Sequence, residues 1–332
     1  MHEAFLTAYQ AARKGAALIE MKNKGMIRLF GSDAGKLIAT LLCGDVRSIP
    51  VGCERFSPML NMQGGTMDAV QVLHPEEDVY WLIITESNRE KIMRHIQRQM
   101  SGDVKAVDLK EWARLLLLIG PEASSYLEKV PDDGELATEN HILGQDCMAC
   151  CFSRLGTPGY WVVTGVDRTQ DMVDTLLQNG VVLGDLDVLN TLMLEVGMPA
   201  YGRELDDTVN PLETRLRRHV HLHRPGFIGR EALVAAGEPR RVMIGLKLEE
   251  EGAQPGMDVV KRDKQVGTVT SAGYCPGVGS YAALALVEAP YQDAGSRLSV
   301  ECGGRLIRGV VSALPFELLP DEEEEQGEAA EE

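Results

Sequence analysis

Near residue 240 the hydrophobic pattern of this chain changes period, and that change constrains its architecture more than any other feature. Beyond it come RRVMIGLKLE, DVVKRDKQVGTVTSAG, YAALALVEAP and RLSVECGGRLIRGVVSA, short β-rich runs broken by Gly, Asp and Lys turns with no helical period. Side chains that alternate between two faces can line one closed core, so this stretch predicts a small all-β barrel or sandwich. Before it, helical and strand patterns alternate. Residues 3–21 predict a helix, KGMIRLFG a strand over about 25–31, and DAGKLIATLL a second helix with Ser32 and Asp33 placed to cap it. DAVQVLHPEEDVYWLIITE predicts two strands joined by an acidic turn, followed by an amphipathic helix, SNREKIMRHIQRQM, that Ser87 can cap. The same kinds of element then repeat. EWARLLLLIGPEASSYLEKV predicts a strand and a helix, CMACCFSRL and YWVVTGV predict strands, and DMVDTLLQNG predicts a helix.

At 332 residues and 44% apolar composition, the chain can supply cores for two or three domains. Its formal charge of -17 is uneven, because the last twelve residues hold one Asp and seven Glu. A block of like charges without aromatic residues cannot bury enough surface to offset its ordering entropy, so 321–332 is expected to be a disordered solvated tail. An acidic chain with no basic arm is poorly suited to holding a phosphate backbone, so a nucleic-acid partner is not expected. The sequence has no apolar run of 18 residues and carries charges where a signal peptide needs an apolar core, so neither a membrane nor a secretory destination is expected. The seven cysteines are odd in number and lie in a chain with ample core, which fits the reducing cytoplasm.

Two clusters invite a metal reading. Cys147, Cys150 and Cys151 have a Cys-x-x-Cys spacing, but a structural zinc would want a second ligand pair at similar spacing, and apolar neighbours favour a buried strand with Cys as a small hydrophobe. His219, His221 and His223 would share one face of a strand, a possible metal face whose commoner outcome is solvated or core-edge histidine. No metal is expected at either. No glycine-rich loop follows a strand in the spacing that holds a dinucleotide or triphosphate, and PGVGSYAALAL reads as a tight turn entering a strand.

Three stretches carry a resemblance. GDLDVLNTLMLEVGMPAYGRELDDTVNPLETRL followed by GFIGREAL resembles the central signature of the aminomethyltransferase family, the T-proteins of the glycine cleavage system. RFSPMLNMQGGTMDAVQV resembles that family's earlier stretch, in which a Gly-Gly pair precedes an apolar residue and two aspartates, and GTVTSAGYCPGVGSYAALALV resembles its C-terminal barrel signature. In order, the matches span about residues 20–316. What the resemblance implies is an α+β, three-domain cloverleaf, two mixed α/β domains around a tetrahydrofolate site plus a C-terminal β-barrel. The implied divisions are 1–46 with 150–240, then 47–149, then 241–320. It also implies folate and a donor, either a small amine or a lipoyl-carrier protein, as partners, and a monomer or weak dimer.

The resemblance also implies that the glutamate of the family's Leu-Glu-x-Gly-Met run, here Glu195, grips the pterin, whose ring N–H and amino group one carboxylate can accept side by side. Taken alone, Glu195 reads as a helix carboxylate paired with a neighbouring Arg; the surrounding motif favours the pterin role. Tyr201, Arg230 and Arg241 are further binding candidates near the same site, an Arg being suited to the folate glutamate carboxylates. The departures fall at the chemistry. Where the family has two aspartates, this chain has Asp68-Ala69, so only Asp68 remains as a candidate catalytic carboxylate. Thr85 stands where the family commonly has Asn, and the family's Arg-Thr-Gly-Tyr-Thr-Gly-Glu segment is reduced to Arg154–Gly159. Two readings follow: a transferase moving a one-carbon unit from an amine carrier to tetrahydrofolate, or a non-catalytic folate-binding module of the kind that assists iron–sulfur proteins. Such modules carry a Lys-Gly-Cys-Tyr motif where this chain has Arg224-Pro225-Gly226-Phe227, and the missing cysteine favours the transferase.

Overall fold

The computed structural model describes residues 3–319; the acidic tail expected at 321–332 lies outside them. The chain divides into two compact units, one of residues up to Asn190 with Pro199–Pro239, the other of Thr191–Met198 with the chain from Arg240 onward.

The first unit holds two sheets. One has the strand order Val182–Gly184, Ala17–Glu20, Ala113–Ile119, Gly159–Gly165, Gln145–Cys151, Leu136–Ile142, in which only the first pair is parallel. Leu18, Leu116, Leu118 and Val162 pack there with Met172 and Leu176 of the helix Thr169–Gln178. The other sheet runs Cys53–Leu60, Thr66–Glu76, Val79–Thr85, Lys24–Phe30, Lys105–Asp108, antiparallel throughout. The helices Ala34–Leu41 and Arg89–Gln99 bury Leu37, Ile38, Leu41, Ile92 and Ile96 in the same core as Ile27, Leu29, Val70, Leu82 and Ile84. Each such side chain removed from water contributes about 1.5–3 kcal/mol, and it is this apolar stripe rather than capping that holds the two helices.

The second unit is a closed barrel of six antiparallel strands, ordered Arg241–Leu248, Ser280–Glu288, Lys264–Cys275, Asp258–Lys261, Arg297–Cys302, Arg305–Ser312. Leu246, Val259, Ala283, Ala285, Val287, Val300 and Ile307 fill its core. The protein therefore combines mixed α/β sheets with a C-terminal β-barrel. No helix among the described residues is long and apolar enough to cross a membrane.

Several local readings change. The helix expected over 3–21 stops at Lys14, because the apolar run from Ala17 pairs with strands on both sides. Asp33 and Ser32 do not cap their helix; Asp33 accepts the Asp103 amide at 2.9 Å and Ser32 donates to the Asp103 carboxylate at 3.1 Å. Ser87 lies inside a 3-10 turn, Glu86–Asn88, ahead of its helix. The helix expected after Gly120 is only a 3-10 turn, Ala123–Tyr126, because Leu127 is drawn into a bridge with Ile142. His219 ends a 3-10 turn, Arg215–His219, and no strand follows, so the three imidazoles share no strand face. Hydrogen bonding also divides residues 1–240 differently from the domain bounds above. Lys24–Phe30 joins strands of 53–108, while Ala113–Ile119 and Leu136–Ile142 belong to the sheet that also holds the strands at 17 and 182, since each strand goes where its apolar face finds a partner.

Candidate functional site

Asp68 sits where the strand Thr66–Glu76 is irregular. Met59 pairs with Asp68 but Leu60 pairs with Thr66, so Met67 is an extra residue. Such a bulge re-aims the side chains beside it. The Met67 carbonyl accepts from the buried Asn88 amide at 3.0 Å, which fixes the distortion. Asp68 is fully buried. Its Oδ1 accepts from the Ala69 amide and the Thr85 hydroxyl, and its Oδ2 from the Thr85 amide, each at 2.8 Å. Asp68 is thus held by the residue that follows it in the chain, Ala69, and by Thr85 of the neighbouring strand.

Lys24, paired with Thr85 across the next strand, lies in the electrostatic field of Asp68. Burial lowers the Lys24 ammonium below the usual lysine range; the Asp68 charge opposes this and Arg203 adds to it. No motif marked Lys24, which becomes a site residue only through strand pairing.

Tyr201 is half-buried against Phe56, Leu205 and Leu216. Lys91 donates to its hydroxyl at 2.7 Å and lies 4.3 Å from its ring centre, while the hydroxyl donates to Asp207 at 3.2 Å. Lys91 also bridges Asp207 at 3.1 Å. Lys91 carried no sequence signal; Asp207 lay unremarked within the central signature.

The Gly-Gly pair of the earlier signature has a steric cause here. A Cβ on Gly65 would stand 1.8 Å from the Asp207 carbonyl oxygen, so only glycine lets this turn pass under the 205–209 loop. Thr66 completes the junction by donating its amide and hydroxyl to the Val209 carbonyl, both at 2.8 Å. In the Asn210-Pro211-Leu212-Glu213 run, Asn210 accepts the Leu212 amide and Glu213 accepts the Asn210 amide, a reciprocal cap on the 3-10 turn Pro211–Glu213.

Arg230 belongs to the first unit and is engaged by protein: its Nε donates to the Leu222 carbonyl at 2.8 Å and its guanidinium pairs with Glu231 at 2.7 Å. Arg154, from the shortened segment, stacks 4.4 Å from the Phe56 ring centre and 3.8 Å from Glu54. That ion pair is long, and the other carboxylate oxygen of Glu54 is buried without a partner, so burial pushes the Glu54 carboxyl up to about 7 against the pull of Arg154. His219 meets the Phe56 ring edge-on at 4.8 Å, and burial together with Arg154, Arg218 and His221 lowers it to about 4, keeping it neutral.

In the second unit, Glu195 is fully buried near the C-terminal end of the helix Leu186–Val196. Its carboxylate accepts the Gly277 amide at 3.0 Å and its carbonyl accepts the Phe316 amide at 2.9 Å. Leu194 packs beside it with Cys275, Val278, Leu284 and Phe316. Two of the three signatures meet at this bond, Leu-Glu-Val-Gly-Met and Pro-Gly-Val-Gly. Arg241 opens the first barrel strand, exposed and opposite Glu288. Of the sequence candidates, then, Asp68, Tyr201 and Arg230 lie in one unit and Glu195 and Arg241 in the other.

Mixed α/β sheets followed by a closed antiparallel barrel, with buried carboxylates held at the signature stretches, define the fold class. Residues 1–224 match the GCVT N-terminal domain and residues 241–316 the glycine cleavage T-protein C-terminal barrel domain, so the chain belongs to the glycine cleavage T-protein (aminomethyltransferase) family. The aminomethyltransferase of Moorella thermoacetica is 31% identical over 96% of this chain and 91% of its own length. The aminomethyltransferase of Desulforamulus reducens is 28% identical, covering 95% and 90%. The crystal structure of glycine cleavage system aminomethyltransferase T from Bartonella henselae superposes with a TM-score of 0.86 at 20% identity, covering 94% of this chain and 89% of that one, and shares the fold.

Proposed function

We propose that the chain binds tetrahydrofolate through Glu195 and transfers to it a one-carbon unit from an amine carrier. The observation that carries this reading is the Glu195 carboxylate, which is removed from water within its Leu-Glu-Val-Gly-Met run and oriented by the Gly277 amide. A buried, oriented carboxylate suits the pterin edge, where a ring N–H and an amino group lie side by side and can be accepted together. Tetrahydrofolate, when bound, supplies the nitrogen that takes up the one-carbon unit. The relatives named aminomethyltransferase support a transferase, and an aminomethyl-lipoyl protein or a small methylated amine is the fitting donor. Asp68 is a positioning residue in this scheme, because all three of its hydrogen bonds go to its own sheet. Tyr201 offers a half-buried ring whose hydroxyl Lys91 and Asp207 hold in place. The seven cysteines, none of which is in a disulfide, suit a cytoplasmic setting.

A second reading, a folate-binding module without transfer activity, is favoured by one observation. Ala69 offers no polar side chain where the family has its second aspartate, and the neighbouring Asp68 carboxylate already accepts three hydrogen bonds from its own sheet. Titration calorimetry tests the shared part of both readings: one tetrahydrofolate binds per chain, and Glu195→Ala weakens binding by about 1.5–3 kcal/mol, the range for hydrogen bonds to a charged group. Unchanged affinity in a folded variant removes Glu195 from the site. Assays of one-carbon transfer from aminomethyl-lipoyl and methylated-amine donors then separate transferase from module.

A further inference from the structure

Between the two sheets of the first unit lies a cavity of 630 Å³, within the size range of small-molecule sites. None of its lining residues comes from the three signature stretches. One wall carries Arg28, Phe30 and Trp81 from the sheet of residues 24–108, with Trp112 at the connection; the facing wall carries Thr164 and Arg168. Trp112 is 71% exposed, an indole left in water beside two other aromatic rings. Large rings are seldom left so open where nothing stacks on them.

Two polar groups of the cavity are left unmet. Thr164 is only 3% exposed, lines the cavity, and its hydroxyl has no hydrogen-bond partner. The Nε of Arg28 is likewise buried without an acceptor. Among the described residues no carboxylate pairs with Arg28, whose guanidinium stands 5.0 Å from the Phe30 ring centre, with Lys105 on the same ring at 5.9 Å. Asp146, the acidic group of the lining, is occupied by Arg168 at 2.6 Å and by His141 at 3.0 Å. Buried N–H and O–H groups that lack partners cost stability unless a ligand supplies them, and an uncompensated guanidinium is matched by an oxyanion, planar or tetrahedral. The aromatic wall supplies the complementary half of the recognition, flat faces for a ring system.

We propose that this cavity binds a flat aromatic molecule bearing a single oxyanion group, the ring lying against Trp81 and Trp112 and the oxyanion accepting from Arg28 and Thr164. The site is separate from the folate reading and does not depend on it.

The test uses 8-anilinonaphthalene-1-sulfonate as the probe on the full chain. Its fluorescence should show one site per chain, with energy transfer from tryptophan. Arg28→Gln and Trp112→Ala should each weaken it about tenfold or more, the loss of one charged hydrogen bond or one stacking partner. Trp112 is exposed, so its replacement leaves the core intact, and circular dichroism verifies the fold of the Arg28 variant. Glu195→Ala should bind the probe as the unaltered chain does, and the uncharged N-phenyl-1-naphthylamine should bind about tenfold more weakly than the sulfonate. Undiminished binding in both folded variants, or equal binding of the neutral probe, overturns the proposal.

Discussion

Thr85 gives both its amide and its hydroxyl to the carboxylate of Asp68, each at 2.8 Å. The relationship ties two neighbouring strands at a bulge and accounts for a carboxylate that is wholly out of water.

Removing the acceptor should cost more than removing one donor. Asp68→Ala leaves the Thr85 hydroxyl and amide without their partner and should destabilise by about 2–4 kcal/mol, while Thr85→Val removes a single bond and should cost about 1–2 kcal/mol. Urea unfolding checks both. An Asp68→Ala chain as stable as the parent would mean that these bonds contribute nothing net.

Restoring the family's side chains should restore chemistry if Ala69 marks its loss. The parent chain should release a one-carbon unit from an aminomethyl donor slowly, and Ala69→Asp with Thr85→Asn should raise that rate by about a hundredfold or more, since a carboxylate beside the accepting nitrogen can orient it and stabilise developing positive charge. Ala69 packs against Phe56, Leu205 and Leu216, so the new carboxylate displaces apolar contact, and a melt must first show the double variant folded. A parent rate already equal to that of its active relatives would refute the idea. No gain in a folded, folate-binding double variant would favour the binding module.

Glu54 should make stability depend on pH. Its carboxyl titrates at about 7 in the folded chain, against an ordinary 4.5, because burial disfavours the charged form. The folded state therefore keeps a proton that the unfolded chain has released; the contribution is full below about 4.5, declines as pH rises, and is gone once pH has passed through about 7. Glu54→Gln keeps the shape without the titration, so it should flatten the melting temperature between pH 5 and 8 and raise it at pH 8 by about 3–6 °C. An unchanged pH profile in Glu54→Gln would show that another group carries the dependence.

What could be read from the sequence was whatever one segment decides alone. RRVMIGLKLE forms a barrel strand at Arg241–Leu248, and CMACCFSRL gives a strand in which Cys150 is buried like any small hydrophobe, because alternation and apolar content act locally. The Leu-Glu-Val-Gly-Met glutamate was legible as a motif, but its partner Gly277 was not, being 82 residues away. Lys24 and Lys91 gave no signal because strand pairing and tertiary packing bring them to Asp68 and Tyr201. The short strand at Ala17–Glu20 was absorbed into a helical pattern for the same reason: four apolar-rich residues become a strand only when neighbours on both sides are present.

That strand also orders the assembly of the chain in time. Its neighbours, Ala113–Ile119 and Val182–Gly184, are made long after it, whereas all five strands of the other first-unit sheet lie within residues 24–108. At about 5–20 residues per second of synthesis, Ala17–Glu20 waits roughly 5–20 seconds for its first partner. Over that interval the later-starting sheet can close on its own helices, so the strand that comes first among the described residues joins its sheet after a sheet that begins downstream of it is complete.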